Sequence, residues 1–275
     1  DTSIAAGEVL KIDYKIEGQD LQQLKKGTSD AEKVTVSFYM KTNKAFTFMC
    51  ELDDRDNNRR NGQQFTTTTD WTRHVLTFAG DTTGTLDDDT ALSMVISFFF
   101  HAGSDFTGGT YSANTWESRA SSDNMRAVGI GSFFDSTDND IKITGLQMEV
   151  GEQATPFEHR SFGEELALCE RYFQLFTHNG SDGGNITNGM ISSDRFFGVL
   201  QFKKDMRAIP TITSTSSGFN VSSSAHTVGS MSIDETHNTT IHAARLRTGS
   251  DSSFTDGQGA VFRYDGGSIN IDAEL

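Results

Sequence analysis

The sequence predicts an all-β protein built as two β-sandwich (jelly-roll-like) domains joined by a short linker and one short helix. Three observations predict it. Short apolar runs alternate with polar residues at a period of two, the mark of half-buried strands. Clusters of Gly, Ser, Thr, Asn and Asp separate these runs at close spacing. A length of 275 residues is long for one sandwich and suits two domains. The expected boundaries are 1–152 for the first domain, 153–161 for the linker and 162–275 for the helix with the second domain.

Leu10, Ile12, Tyr14 and Ile16 alternate and predict a first strand, which Gly18 breaks; residues 20–24 fit one helical turn. Val34, Val36, Phe38 and Met40 predict a second strand, with Thr35, Ser37, Tyr39 and Lys41 on its other side. Phe46, Phe48, Cys50 and Leu52 predict a third, followed by a polar loop over 53–62. Residues 65–69 read as an edge strand, since threonine suits an exposed pleat. Strands at 75–78 and 91–100 follow. The second is the longest apolar run, too short for a membrane span, and reads as a buried strand with Leu92, Met94, Ile96, Phe98 and Phe100 inward. Residues 103–124 form a long glycine- and serine-bearing segment holding Tyr111 and Trp116, and such segments tend to be functional or mobile. Strands at 128–134 and 141–150 close the domain. In the last, Ile141 and Ile143 keep one phase while Leu146, Met148 and Val150 keep the other. A bulge at Gly145 would return the apolar set to the core face.

Gly151 ends that strand, and Pro156 biases Thr155 to an extended form. Ser161 and Glu164 have the spacing of a capping box. Phe162, Leu166, Cys169 and Phe173 then lie on one helical face, expected to dock as a support. The remaining strands are expected at 172–176, 196–202, 208–213, 219–221, 228–233, 240–246, 260–264 and 268–271. Turn-forming clusters separate them, and Asp265-Gly266-Gly267 reads as a hairpin turn. No repeat period is visible.

A net charge of −15 argues against nucleic acid and against anionic membrane surfaces as partners, and fits a soluble surface that resists self-association. Hydrophobic content is 35%, low for a globular chain, but 21 phenylalanines can fill two cores. Two cysteines make no disulfide framework; Cys50, on the apolar phase of its strand, reads as a buried free thiol, as in a chain assembled in a reducing cytoplasm. No signal peptide is seen, and a start at Asp1 suggests the ordered part of a longer chain.

No catalytic residue, cofactor or metal ligand set is assigned. Asp53, Asp54, Asp56, Asn57 and Asn58 offer oxygens of the kind calcium takes, but Arg59 stands where an EF-hand loop needs glycine. Asp87, Asp88 and Asp89 form a second cluster, and Asp135, Asp138 and Asp140 a third; solvated turns explain all three more simply than structural calcium. The seven histidines show no metal-binding spacing, and His101 reads as a rim residue. No nucleophile-elbow motif appears. Asn185, Asn220 and Asn238 match the glycosylation pattern at the rate chance gives in a Ser/Thr-rich chain. An aromatic face stacks on the C–H face of a sugar while acids and arginines bond its hydroxyls. Tyr111 and Trp116 are therefore the expected ligand-binding aromatics, with Asp105 and Arg119 as hydroxyl partners. The simpler role for Trp116 is a local loop core.

Several stretches resemble a known family: DTSIAAGEVLKIDYKIEGQDLQQLKKGTSDAEKVTVSFYMKTNK, WTRHVLTFAGDTTGTLDDDTALSM, RAVGIGSFF and ITGLQMEVGEQATPFEHRSFGEELALCERYF. Together they resemble tail-fibre and other virion proteins of marine tailed phages, especially those of cyanobacteria. FKKDMRAIPTIT resembles the family's recurrent strand–turn–strand unit, and the terminal DAEL its usual ending. The resemblance covers most of 1–177 and patches of the rest. It implies a jelly-roll domain like carbohydrate-binding modules, a distal β domain, and a chain that is one third of a homotrimer. It implies a virion location, contacts with other virion proteins, and attachment to a host-surface glycan or protein. A capsid decoration or tail adaptor, and a polysaccharide depolymerase, are the competing expectations. The resemblance brings no catalytic motif. The chain departs from the family most at 179–194 and 214–259, where recognition loops are expected.

Overall fold

The computed structural model describes residues 4–119, 127–178, 184–215, 218–224, 227–231, 233–237 and 239–275. The chain divides into two compact units, 1–159 with Leu275, and 160–274. Both are all-β sandwiches. Among the described residues no helix is long and apolar enough to cross a membrane.

The first unit carries β1 (Val9–Glu17), β2 (Val34–Thr42), β3 (Thr47–Asp54), β4 (Arg59–Thr66), β5 (Thr72–Phe78), β6 (Leu92–Ala102), β7 (Glu117–Ser118) and β8 (Ile141–Val150). They form a five-stranded sheet in the order β1-β6-β3-β4-β7 and a three-stranded sheet in the order β5-β2-β8, antiparallel throughout. Inward residues of both sheets make one core, with Phe38, Phe48 and Phe98 among its fully buried members. Phe38 meets Phe98 edge-on at 4.8 Å and Phe48 meets Phe100 edge-on at 5.0 Å. Burying each such ring contributes roughly 1.5–3 kcal/mol.

Gly145 sits at φ +62°, opposite a register shift between Ser37 and Tyr39, so β8 is bulged where its apolar phase changes. Ile141, Ile143, Leu146 and Met148 all reach the core as a result. Residues 151–158 are laid across the outer face of β2 and β5 instead of spanning freely. Thr35 Oγ1 donates to the Gly151 carbonyl, Arg73 to the Thr155 carbonyl, and the Glu158 N–H to Gln147 Oε1. This strap explains why Thr35 and Ser37, expected on an open face, are buried.

Three expectations change in this unit. The polar loop at 53–62 is a tight hairpin, because β3 runs to Asp54 and β4 starts at Arg59. Its polar residues Asp53, Asp54, Arg60 and Asn61 are buried: Asp53 and Arg60 lie on the outer face of the larger sheet, covered by later chain, and Asp54 and Asn61 lie on its core-facing side. Residues 128–134 are not a strand: Gly129 at φ +75° turns the chain, and a 3-10 turn at Phe133–Asp135 sends Phe133 to the core. The helical turn at 20–24 is two 3-10 turns, Gly18–Asp20 and Gln22–Leu24.

The second unit opens with α1 (Phe162–Cys169), whose capping box between Ser161 and Glu164 is formed in both directions. No residue of α1 is buried, and Phe162 is 83% exposed. The expected docked helix is thus exposed along its length, and the chain that leaves it is fastened where buried Gln174 donates to the Glu170 and Lys204 carbonyls. The strands are β9 (Phe173–Thr177), β10 (Asn185–Ser192), β11 (Arg195–Gln201), β12 (Thr211–Ser214), β13 (Phe219–Ser223), β14 (Thr227–Met231), β15 (Ile233–His237), β16 (Ala243–Thr248), β17 (Gly259–Tyr264) and β18 (Ser268–Asp272). A seven-stranded sheet, β14-β13-β17-β10-β11-β16-β15, faces a three-stranded sheet, β12-β18-β9. Phe196, Phe219 and Phe262 stack in the core between them. Asp265-Gly266-Gly267 joins strands of different sheets, so it is a crossover and not a hairpin. The Asp265 and Gly267 N–H groups both donate to the Gly218 carbonyl, which pins the turn.

Candidate functional site

The four residues expected to bind a ligand are spread over the first unit. Among the described residues no hydrogen bond, ion pair or ring contact joins any two of them. Tyr111 lies over the outer face of the larger sheet, against Met49, Phe99 and Ala127, and its hydroxyl accepts from the Gln64 N–H at 2.9 Å. Trp116 is half-buried at the sandwich edge and donates through Nε1 to the Ala79 carbonyl at 2.7 Å. Arg119 is paired with buried Asp53 at 3.1 Å. Asp105 is exposed in a 3-10 turn at Ser104–Phe106, its N–H donating to the Ala6 carbonyl. Beside Tyr111, a pocket lined by Glu51, Arg60, Gly62, Ser112, Thr115 and Glu117 offers about 10 Å³ of water-accessible volume. That is room for one water, not for a sugar ring. Residues 120–124 of the 103–124 segment lie outside the described residues.

A roomier cleft of about 480 Å³ opens at the end of the same unit. Its volume lies in the range of small-ligand sites. One wall is the turn between β2 and β3, with Lys44, Ala45, Phe46 and Thr47; the other is Gly129, Ile130, Gly131, Ser132 and Asp135. Local hydrogen bonds set both walls. Thr42 Oγ1 donates to the Lys44 carbonyl, and the Gly131 N–H donates to the Thr47 carbonyl at 2.9 Å. Ser132 Oγ caps the 3-10 turn by accepting the Phe134 N–H and lies 2.9 Å from His101 Nδ1. Lys44 Nζ donates to both Asp135 oxygens at 2.8 Å and stands 5.1 Å from the Phe46 ring centre. Asn139 also donates to Asp135.

The electrostatics follow from these contacts. Hydrogen bonds from Lys44 and then Asn139 hold the Asp135 carboxyl below its usual range, so the rim carries a fixed charge pair at neutral pH. Burial pushes His101 down, against the pull of the Glu8 carboxylate, so its ring is neutral there and can accept from or donate to Ser132 according to tautomer. A charge pair and a hydroxyl beside the covered Phe46 ring can bond a polyhydroxylated molecule at the rim. Asp135 is the single carboxylate lining the cleft among the described residues, which does not match the paired acids of glycosidic cleavage.

The sequence alone places Asp135 in a solvated acidic turn. Its partner Lys44 lies 91 positions away, and no local pattern in the sequence links the two. The other acidic clusters resolve into turn and ion-pair contacts. Asp54 accepts from Asn57, Asp56 accepts the Asp87 N–H, Asp89 accepts the Ala91 N–H, and Asp140 pairs with Lys142. Among the described residues no group of three or more His, Cys, Asp and Glu is arranged to hold a metal ion. Cys50 is a fully buried free thiol and burial pushes its pKa up, which suits packing and not chemistry; Cys169 is exposed. No family model matches the chain, nor does any curated protein or solved structure.

Proposed function

We propose that this chain is a virion protein of a tailed phage, a tail-fibre or receptor-binding component that adheres to host-surface glycans. The observation that carries the reading is the cleft between residues 44–47 and 129–135. It combines sugar-sized space with a charge pair and a ring on a jelly-roll-like sandwich. The four long stretches that resemble marine phage virion proteins support the same reading. The partner set is a homotrimer, and three weak sites on one particle multiply effective concentration at a glycan-coated surface. The apolar face of α1 supports assembly: Phe162 is 83% and Leu166 43% exposed on a helix too short to be stable alone.

The same face favours a second reading, a capsid decoration or tail adaptor whose apolar surface is covered by another virion protein. Binding to host cells or a glycan array by the 1–275 protein separates the two. Lys44→Ala combined with Asp135→Ala is expected to abolish binding without lowering Tm by more than a few degrees, both side chains being exposed. Undiminished binding by that variant removes the cleft, and no binding to any host material by the parent protein favours the adaptor. Trp116→Ala is a poorer probe, because it also strips a core contact and a hydrogen bond.

A further inference from the structure

Lys26 lies in the middle of a cage with the make-up of a cation site. Its side chain is 3% exposed. Nζ pairs with Asp54 Oδ2 and lies 3.0 Å from Asp81 Oδ2. It donates to the main-chain carbonyls of Thr83 at 2.9 Å and Gly84 at 3.0 Å. The Trp116 ring centre is 5.3 Å away. Four oxygens therefore surround an ammonium that has three N–H donors. Two carboxylates and two carbonyls around a point charge are the ligands of a hard cation such as calcium, which takes oxygens at roughly 2.3–2.6 Å.

The oxygens are held from outside the cage and not by the lysine alone. Asn57 donates to Asp54 through its N–H and Nδ2. Arg59 grips Asp81 through Nε at 2.6 Å and Nη2 at 3.0 Å, and the Thr83 N–H adds a third bond. Gly27 at φ +82° and Gly84 at φ +75° let the loops close. A Cβ on Gly27 would lie 2.7 Å from the Gly84 carbonyl carbon, and one on Gly84 would lie 2.4 Å from Asn57 Cγ. The cage walls are thus defined independently of the group at the centre.

We propose that Lys26 is a tethered stand-in for a divalent cation. Its ammonium, together with the Arg59 guanidinium, neutralises Asp54 and Asp81 where a metal ion would otherwise join the two loops, and shortening the side chain converts the cage into a calcium site. The parent protein is then indifferent to calcium at this position, and the Lys26→Ala variant is not.

The test uses the whole 1–275 protein. Tm is read with chelator, with millimolar calcium, and with sodium at matched ionic strength. Terbium emission is read under tryptophan excitation, because Trp116 faces the cage. The expected result is a parent Tm that calcium and chelator leave unchanged, and no sensitised terbium emission. Lys26→Ala should lose several degrees in chelator, recover them in calcium but not in sodium, and show terbium emission that Lys26→Ala combined with Trp116→Phe loses. Lys26→Met, which fills the space without charge, should be destabilised and gain nothing from calcium. A Lys26→Ala protein that ignores calcium, or stays unfolded in its presence, overturns the proposal. So does equal recovery of Lys26→Met, or sensitised emission from the parent.

Discussion

Asp81→Asn should be among the most damaging single changes in the first unit. The Asp81 side chain is 3% exposed and sits between two cations, Lys26 at 3.0 Å and Arg59 at 2.6 Å, with the Thr83 N–H at 3.1 Å. The amide removes the charge and aims an NH2 at one of two donors, leaving Arg59 without its carboxylate and Lys26 with one. Breaking a buried pair from one side costs about 3–5 kcal/mol. For a unit of this size, about 2–4 °C of Tm per kcal/mol gives a fall of roughly 6–20 °C. Asp140→Asn is the control: its pair with Lys142 is 51% exposed on both sides and is worth about 0–1 kcal/mol. Both tryptophans, Trp71 and Trp116, lie in the first unit, so urea unfolding followed by tryptophan fluorescence reads that unit. The comparison also has an acid limb. Burial alone would raise the Asp81 pKa; the Arg59 and Lys26 hydrogen bonds, the Lys26 charge and the Thr83 N–H outweigh it and hold it low. A carboxyl depressed in the folded state adds stability above its unfolded pKa of about 3.9, lost as pH falls through the folded value. The gap between parent and variant should therefore narrow in acid. If Asp81→Asn falls within about 1 kcal/mol of the control at neutral pH, the cluster does not bear on stability as argued.

Two histidines should make the same unit weaken under mild acid. His74 lies 5.2 Å from the Phe38 ring and 5.0 Å from the Phe65 ring, and burial lowers its pKa; burial lowers His101 as well, opposed by Glu8. The unfolded chain takes up these protons near pH 6.5, so stability is full above that value and declines as pH drops toward the folded pKa values. Urea midpoints between about pH 7 and pH 5 should fall for the parent and fall less for His74→Phe; equal slopes would refute the assignment. Phe162→Ser combined with Leu166→Ser should convert a trimeric species to monomer in sedimentation without lowering the Tm of the first unit. A parent that is already monomeric at micromolar concentration would remove the α1 face from assembly.

The bulge at Gly145 was legible because the apolar phase itself changes there, and the capping box because its spacing is local. β10 was not legible. Its centre is Gly189, opposite Gly198, and the Phe196 ring covers both: a Cβ at either would stand 2.8 Å from ring atoms. The apolar group that a strand normally supplies at its centre comes here from the neighbouring strand, so the alternation of β10 is broken between Ile186 and Ile191. The opposite failure occurred at 128–134, where alternation suggested a strand but Gly129 at φ +75° turns the chain. Tyr111 and Trp116 share one long segment in the sequence, which carries no sign that their polar atoms are spent on Gln64 and Ala79. The cleft walls come from two turns far apart in the chain, and only folding puts Lys44 beside Asp135.

The strap across β2 and β5 changes how a load would enter the first unit. Tension arriving through residue 160 does not reach the end of β8 at Val150 directly, since Glu158 is bonded to Gln147 in the middle of that strand. It must first detach Glu158, then Thr155, then Gly151, each fastened to the sheet by its own bond. Such a seam opens stitch by stitch, and it would let small tugs dissipate and reseal before the sandwich itself is asked to yield.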